Sequence, residues 1–205
     1  MKLSCLRHPA LPSLWTGRFL GQMDPRSVPI ELTKSFELQL KQEMYTKIFS
    51  SDLVRCSELA HFVQGNFLPE LNVLEDSRLR EISFGIWEGK SYQEISEMDE
   101  WKEDYKKFIK EFPRHPAPQA ESNEEFKLRI SSFIEEIRAN SNQNDKFLLV
   151  THAGVIRQIA SLVLGIDLST TFLMQLNYLS MNQFQFEKDF TSMLSWNENW
   201  NLGVS

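Results

Sequence analysis

The sequence predicts an α/β protein of three layers, with helices on both faces of a mostly parallel central sheet. Three observations predict it. Short apolar runs at residues 3–6, 48–50 and 147–150 alternate with segments whose apolar residues recur at helical spacing, the pattern of strand–helix–strand units. The runs at 3–6 and 147–150 are apolar almost throughout, as expected of strands covered on both faces. The chain has 205 residues and 41% apolar content, enough for one domain with a sizeable core.

Residues 3–6, the first strand, run into a loop containing Pro9, Pro12, Gly17, Gly21, Pro25 and Pro29. Leu32, Phe36, Leu40 and Met44 recur every four residues and predict a helix. Ile48, Phe49 and Ser50 form a second short strand, and a helix is expected from about 56 to 67. The loop at 83–89 precedes a charged, helical stretch carrying Tyr92, Ile95, Met98, Trp101, Tyr105 and Phe108. Pro113, Pro116 and Pro118 end it, because proline lacks the N–H and clashes with the preceding turn. From Glu124 an amphipathic helix sets Phe126, Ile130, Phe133, Ile134 and Ile137 against Glu135, Glu136 and Arg138. A polar turn at 142–145 introduces the strand at 147–150, and residues 155–164 read as a helix. Alternation at 183–186, the turn at 187–189 and the run at 190–196 predict a C-terminal hairpin.

Composition narrows the function. There are 22 basic and 28 acidic residues, a net charge of −6, whereas a nucleic-acid binder leans basic; no nucleic-acid partner is expected. No window approaches ~18 uninterrupted apolar residues, so no membrane span is expected. The N-terminal run lacks an apolar core of signal-peptide length. Cys5 and Cys56 make no disulfide framework and read as buried reduced thiols. A cytoplasmic protein is the expectation.

Two histidines sit where a strand ends: His8 after the first strand, His152 after residues 147–150. In open α/β sheets ligands gather beyond the carboxyl ends of strands, which makes these distant residues neighbours. The residues after His152, Ala153 and Gly154, open a helix whose amides and dipole favour an anion. Arg7 stands beside His8, and Arg55 follows the second strand. Two guanidinium groups and a helix start converging on two imidazoles make a phosphate-sized anion site.

The motifs then become specific. Leu6-Arg7-His8 resembles the Arg-His-Gly signature of the histidine phosphatase (phosphoglycerate mutase-like) superfamily. The segment 50–56 resembles the second motif, whose arginine, here Arg55, binds phosphate; 79–89 resembles the segment that supplies the acid; 150–157 resembles the segment with the second histidine. All four stand in the family's order. Gly21-Gln22-Met23-Asp24, Arg55-Cys56, Trp87-Glu88-Gly89 and Glu121-Ser122 resemble α-ribazole phosphatase-like members in particular.

The resemblance implies a phosphoglycerate mutase-like fold in one domain over 1–205, with a helical insertion at about 92–112 roofing the site. It implies hydrolysis of a small phosphorylated metabolite through a phosphohistidine, with α-ribazole 5′-phosphate as the leading substrate. His8 attacks phosphorus, Arg7, Arg55 and His152 hold the charge, and Glu81 exchanges the proton, with Glu88 as the other carboxylate able to take that role. Arg18, Gln22, Ala153 and Gly154 are expected to contact substrate. No metal or other cofactor is required, since side chains supply the positive charge. Arg114 and His115 are rim residues and His61 a helix-surface residue.

Three departures bear on this. Pro9 stands where the family has Gly and removes a backbone donor beside the phosphate; Ala10 and Leu11 replace a Glu-Thr pair; and Glu58-Leu59-Ala60 replaces Gln-Thr-Ala. The alternatives are a phosphoglycerate mutase and, from another class, a catalytically silent phospho-ligand-binding module. The run Gly85-Ile86-Trp87-Glu88-Gly89-Lys90-Ser91 imitates a Walker A loop but has three spacer residues instead of four.

Overall fold

Leu3, Cys5 and Leu6 belong to β1 (Lys2–Arg7) in a computed structural model that describes residues 1–201. With β2 (Lys47–Ser50), β3 (Val73–Glu75), β4 (Lys146–Thr151), β5 (Met181–Phe186) and β6 (Thr191–Glu198) it builds one sheet in the order β3-β2-β4-β1-β5-β6. β1 to β4 are mutually parallel, and β5 runs antiparallel to both β1 and β6. The mostly parallel sheet flanked by helices is thus as the sequence predicts.

Side-chain alternation along the central strands divides the core in two. Leu3, Cys5, Phe147 and Leu149 face α5 (Asn123–Ala139) and α6 (Ala153–Leu164). Leu6, Ile48, Leu148 and Val150 face α1 (Lys34–Glu43) and α2 (Val54–Phe67). Both faces are apolar because both are covered. Each fully buried Leu, Ile or Phe contributes about 1.5–3 kcal/mol relative to exposure.

Met44 departs from the predicted first helix. It takes φ 53°, the left-handed region, ends α1 and is 71% exposed, because the chain must turn there into β2. The insertion is two helices, α3 (Tyr92–Glu97) and α4 (Lys102–Glu111). A third cluster, with Phe19, Trp87, Ile95, Trp101 and Phe108 at its centre, fastens these helices to the loop after β1. Two elements carry no sequence signal, β3 and α7 (Leu168–Thr171); they are three and four residues long, too short to show a period. The Walker-like run folds as a turn, with a 3-10 helix at Gly85–Trp87.

Candidate active site

β1 and β4 pair with Arg7 opposite Thr151, and each continues directly into a histidine. The His8 N–H donates to the Thr151 carbonyl at 3.0 Å, extending the pairing one residue past the strand ends. The two imidazoles therefore meet edge-on, with ring centroids 5.2 Å apart.

The ring of His8 is buried, and its Nδ1 lies 2.7 Å from the Pro9 carbonyl. A carbonyl only accepts, so Nδ1 carries the proton and Nε2 keeps a free lone pair. Burial, then the charges of Arg55 and Arg7, hold the His8 pKa well below its ordinary 6.5. The ring is neutral. Pro9, the departure from the family motif, supplies the carbonyl that orients it.

His152 is fully buried, and burial, then Arg55 and His8, lower its pKa in the same way. Its Nδ1 faces Arg55 Nε at 3.2 Å and its Nε2 lies 2.9 Å from Ser51 Oγ. A guanidinium N–H only donates, so Nδ1 accepts and Nε2–H donates to Ser51. Both nitrogens are engaged by the protein, and contact with a phosphate requires exchanging one of these partners for the anion.

Arg55 is buried at the start of α2. Its Nη1 and Nη2 donate to the carbonyls of Met23 and Gly21 at 2.5 and 2.8 Å, and the Asp24 carboxylate lies 3.9 Å away. Each Nη retains a second hydrogen. Arg7 donates through Nη1 to the Leu176 carbonyl at 2.6 Å, and its guanidinium sits 3.8 Å from the centre of the Tyr178 ring. Its Nε is buried and has no hydrogen-bond partner among the described residues. Leaving such a group unsatisfied costs about 1–3 kcal/mol, so it marks a donor that an anion would complete.

Glu81 accepts from the N–H of Ile82 at 3.0 Å and of Gly154 at 3.1 Å. A Cβ at position 154 would meet Glu81 Oε1, so any larger residue there would displace the carboxylate from the Gly154 N–H. Arg129 of α5 holds the segment that presents Glu81. It donates to the carbonyls of Arg78, Arg80 and Glu81 at 2.5, 2.7 and 3.0 Å and pairs with Glu121 at 2.5 Å. Glu88 is placed differently. Its Oε1 accepts from the backbone N–H of Gln22 and Phe84, both at 3.0 Å, and from Ser83 Oγ at 3.1 Å, so it pins two loops together.

A cavity of about 460 Å³ opens beside these groups. Glu81, Ala153, Gly154 and Arg157 line one part of it, and Arg18, Leu20, Ile82, Ile109, Ser169 and aromatic residues line the rest; Arg7, His8, Arg55 and His152 are not among the lining residues. Gln22 is not among the lining residues. Arg18 is tied to the Leu14 and Gly89 carbonyls at 3.0 and 2.7 Å and to Glu94 at 3.1 Å. Arg114, His115 and His61 also lie outside the lining. His115 approaches Asp104 at 3.7 Å and His61 approaches Glu75 at 3.4 Å. Among the described residues, no group of three His, Cys, Asp or Glu side chains is placed to hold a metal ion. Cys5 and Cys56 are free and buried, and Cys56 Sγ lies 3.4 Å from His152 Nε2.

Sequence reasoning missed Ser51, Arg129, Arg157 and Tyr178. Ser51 and Arg157 lie inside the segments that resemble the family motifs and were within reach. Arg129 and Tyr178 carry no local signal, since their partners are far away in the chain.

The lowered histidine pKa values predict acid destabilisation. An unfolded histidine takes up its proton near 6.5, whereas the folded sites resist it. The unfolded state therefore binds more protons, and stability is full above about pH 6.5 and falls as pH drops below it. The slope should approach about 1.4 kcal/mol per pH unit for each histidine. Carboxylates held down by ion pairs, such as Asp52 beside Arg80, lose their contribution only near and below their ordinary 3.8, outside this window. Urea denaturation at pH 7 and 5.5 should show the loss, and a His8→Gln, His152→Gln double variant should flatten it. An unchanged slope in that variant would refute the assignment.

The profile of the histidine phosphatase superfamily (branch 1) matches residues 6–199. This chain belongs to that family, whose members are phosphatases or mutases. It is 27% identical over 207 residues to phosphoserine phosphatase 1 of Hydrogenobacter thermophilus, covering 99% of this chain and 95% of that one. Its fold is similar to the α-ribazole phosphatase of Shigella flexneri, with TM-score 0.78 and 19% identity over the whole of both chains. It is equally similar to a phosphoserine phosphatase from Entamoeba histolytica solved with 3-phosphoglyceric acid, with TM-score 0.78, 22% identity and 97% of each chain covered. No helix among the described residues is long and apolar enough to cross a membrane.

Proposed function

We propose that this protein hydrolyses a small phosphomonoester without a metal, through a phosphohistidine on His8. The observation that carries the reading is the neutral, Nδ1-protonated His8, whose Nε2 lone pair is left free and whose pKa the nearby charges of Arg55 and Arg7 help to lower. Nε2 attacks phosphorus, and the bond to the ester oxygen breaks. Protonated Glu81 gives its proton to that oxygen, and the alcohol leaves. Glu81, now a carboxylate, takes a proton from water. The hydroxide oxygen attacks phosphorus, the P–N bond breaks and its electron pair returns to Nε2. The negative charge on the transferring group is held by the orphan Nε–H of Arg7 and the spare Nη hydrogens of Arg55, with His152 as the third ligand.

Glu81 is favoured over Glu88 because it borders the cavity, while the Glu88 carboxylate is spent on loop contacts. Glu81→Gln should lower kcat for alkyl phosphates by about 10²–10⁴-fold. Phosphoenzyme formation from p-nitrophenyl phosphate, whose leaving group needs no proton, should suffer much less. Rapid-quench comparison of the two substrates checks this, and equal losses on both would move the acid elsewhere.

Two substrates are suggested by the comparisons: α-ribazole 5′-phosphate by the fold likeness and the sequence features, phosphoserine by the relatives of that name. Phosphate release from a panel containing both, run in excess chelator, tests the reading. Isomerisation of 3-phosphoglycerate, with its bisphosphate activator, faster than phosphate release from any monoester would replace hydrolase with mutase.

A further inference from the structure

We infer that the cavity beside Glu81 is built for an uncharged, aromatic or apolar leaving group, and that it disfavours substrates bearing an ammonium or a carboxylate near the ester. The inference rests on the hydrolase reading and names the substrate class for that site. Seven aromatic residues line the cavity, and four of them, Phe19, Phe84, Phe108 and Phe112, come together in one cluster of edge-to-face and tilted pairs, with centroids between 4.8 and 6.5 Å apart. Phe172 closes on Phe112 at 5.3 Å. Faces and edges left open in such a cluster accept another ring in the same geometry, worth about 0.5–1.5 kcal/mol beyond area burial. The mouth is apolar as well, since Ile109 is 63% exposed and Phe172 48%.

The charges in the lining point the same way. Among the described residues that line the cavity, Glu81 is the one carboxylate, and its oxygens already accept from Ile82 and Gly154. An ammonium brought in by phosphoserine has no other anion to meet there. The two cations are tied down. Arg18 is held by Leu14, Gly89 and Glu94. Arg157 donates to the Thr171 and Met174 carbonyls and stacks 4.8 Å from the Phe172 ring. A substrate carboxylate could meet only the guanidinium hydrogens that these contacts leave unspent, and against the aromatic and aliphatic remainder of the lining it would be unpaired, which is expensive in an apolar site.

The test compares 2-phenylethyl phosphate with O-phosphoserine and 3-phosphoglycerate. All three esters expel an aliphatic alkoxide, so the ratio of kcat/KM reads the cavity and not leaving-group acidity. The phenyl ester should be preferred by about 100-fold, the discrimination available to an apolar pocket. Phe172→Ala should lower kcat/KM for the phenyl ester at least about fivefold, mainly through KM, and change the two charged esters much less. Ile109→Lys, at an exposed position, should narrow the ratio from the opposite side. Charged esters turned over as well as the phenyl ester would overturn the inference while leaving the hydrolase reading intact. So would equal losses on all three esters in both variants. No phosphate release and no phosphohistidine from any of them would overturn the hydrolase reading itself, and the inference with it.

Discussion

Replacing His8 with alanine should abolish both turnover and the covalent phosphoenzyme. Brief reaction of the wild-type chain with labelled monoester should leave phosphate that is acid-labile and base-stable, the behaviour of a P–N bond. His8→Ala has no atom to form that bond, and the neighbouring imidazole cannot stand in. His152 is fully buried, with one nitrogen accepting from Arg55 and the other donating to Ser51. The expected loss is of the order of 10⁴-fold or more in kcat, since removing the nucleophile removes the whole covalent route. Phosphate binding by the variant should survive, because Arg7 and Arg55 remain. Label persisting in His8→Ala would remove His8 from the mechanism; label on His152 would exchange their roles. Loss of turnover with full label in the wild type but none in the variant is the result that supports the reading.

Arg55→Ala should be costly in two ways at once. Its guanidinium satisfies three acceptors, the buried Gly21 O and His152 Nδ1 and the half-buried Met23 O. Truncation leaves them unpaired and opens a void in the largest buried polar side chain of the site, so stability should fall by about 3 kcal/mol. It also frees the 21–24 loop and removes one of the two cations beside His8, so turnover should fall by at least about 10³-fold, the scale of losing a charged donor to a transition state. Arg55→Lys separates the effects. One ammonium cannot reach all three acceptors, so the charge is kept but the fork is lost. Stability should recover in part, and turnover very little. Urea denaturation gives the first quantity and steady-state kinetics the second. Arg55→Ala with near-normal activity would reduce this residue to a loop clamp. A further consequence reaches His8 itself, since Arg55 is one of the charges that lower its pKa: the acid limb of the pH–rate profile should move toward neutrality in Arg55→Ala.

The fold was legible where the physical cause is local or periodic. The central residues of β1 and β4 are almost all apolar because helices cover both faces of the sheet, and the Phe126–Ile137 spacing is the α5 face on that sheet. Where the cause is not local, sequence reasoning stopped. Met44 continues the four-residue period of the first helix, yet it lies outside α1, since the turn into β2 overrides the pattern. β3 is an edge strand of three residues that borrows its geometry from β2. The insertion has the apolar residues of one helix, but it breaks after Glu97 and resumes at Lys102.

The same division runs through the site. By itself the sequence determined which residues are the candidates, because His8, His152, Arg7 and Arg55 stand at strand ends or a helix start within recognisable motifs, and strand ends are where such a sheet gathers its ligands. Only the tertiary structure decided what those residues are bonded to. The register that sets Arg7 opposite Thr151 brings the two histidines together, and it depends on a pairing across most of the chain. The choice between Glu81 and Glu88 rests on which carboxylate meets the helix start at Gly154 and which is consumed by Gln22 and Phe84. The contribution of Pro9 inverted on folding: the sequence registers a lost N–H, while the structure uses the carbonyl of the same residue to fix the tautomer of His8. Residue identity and spacing set what each side chain can do, and three-dimensional packing sets its hydrogen-bond partners, its burial and therefore its protonation state.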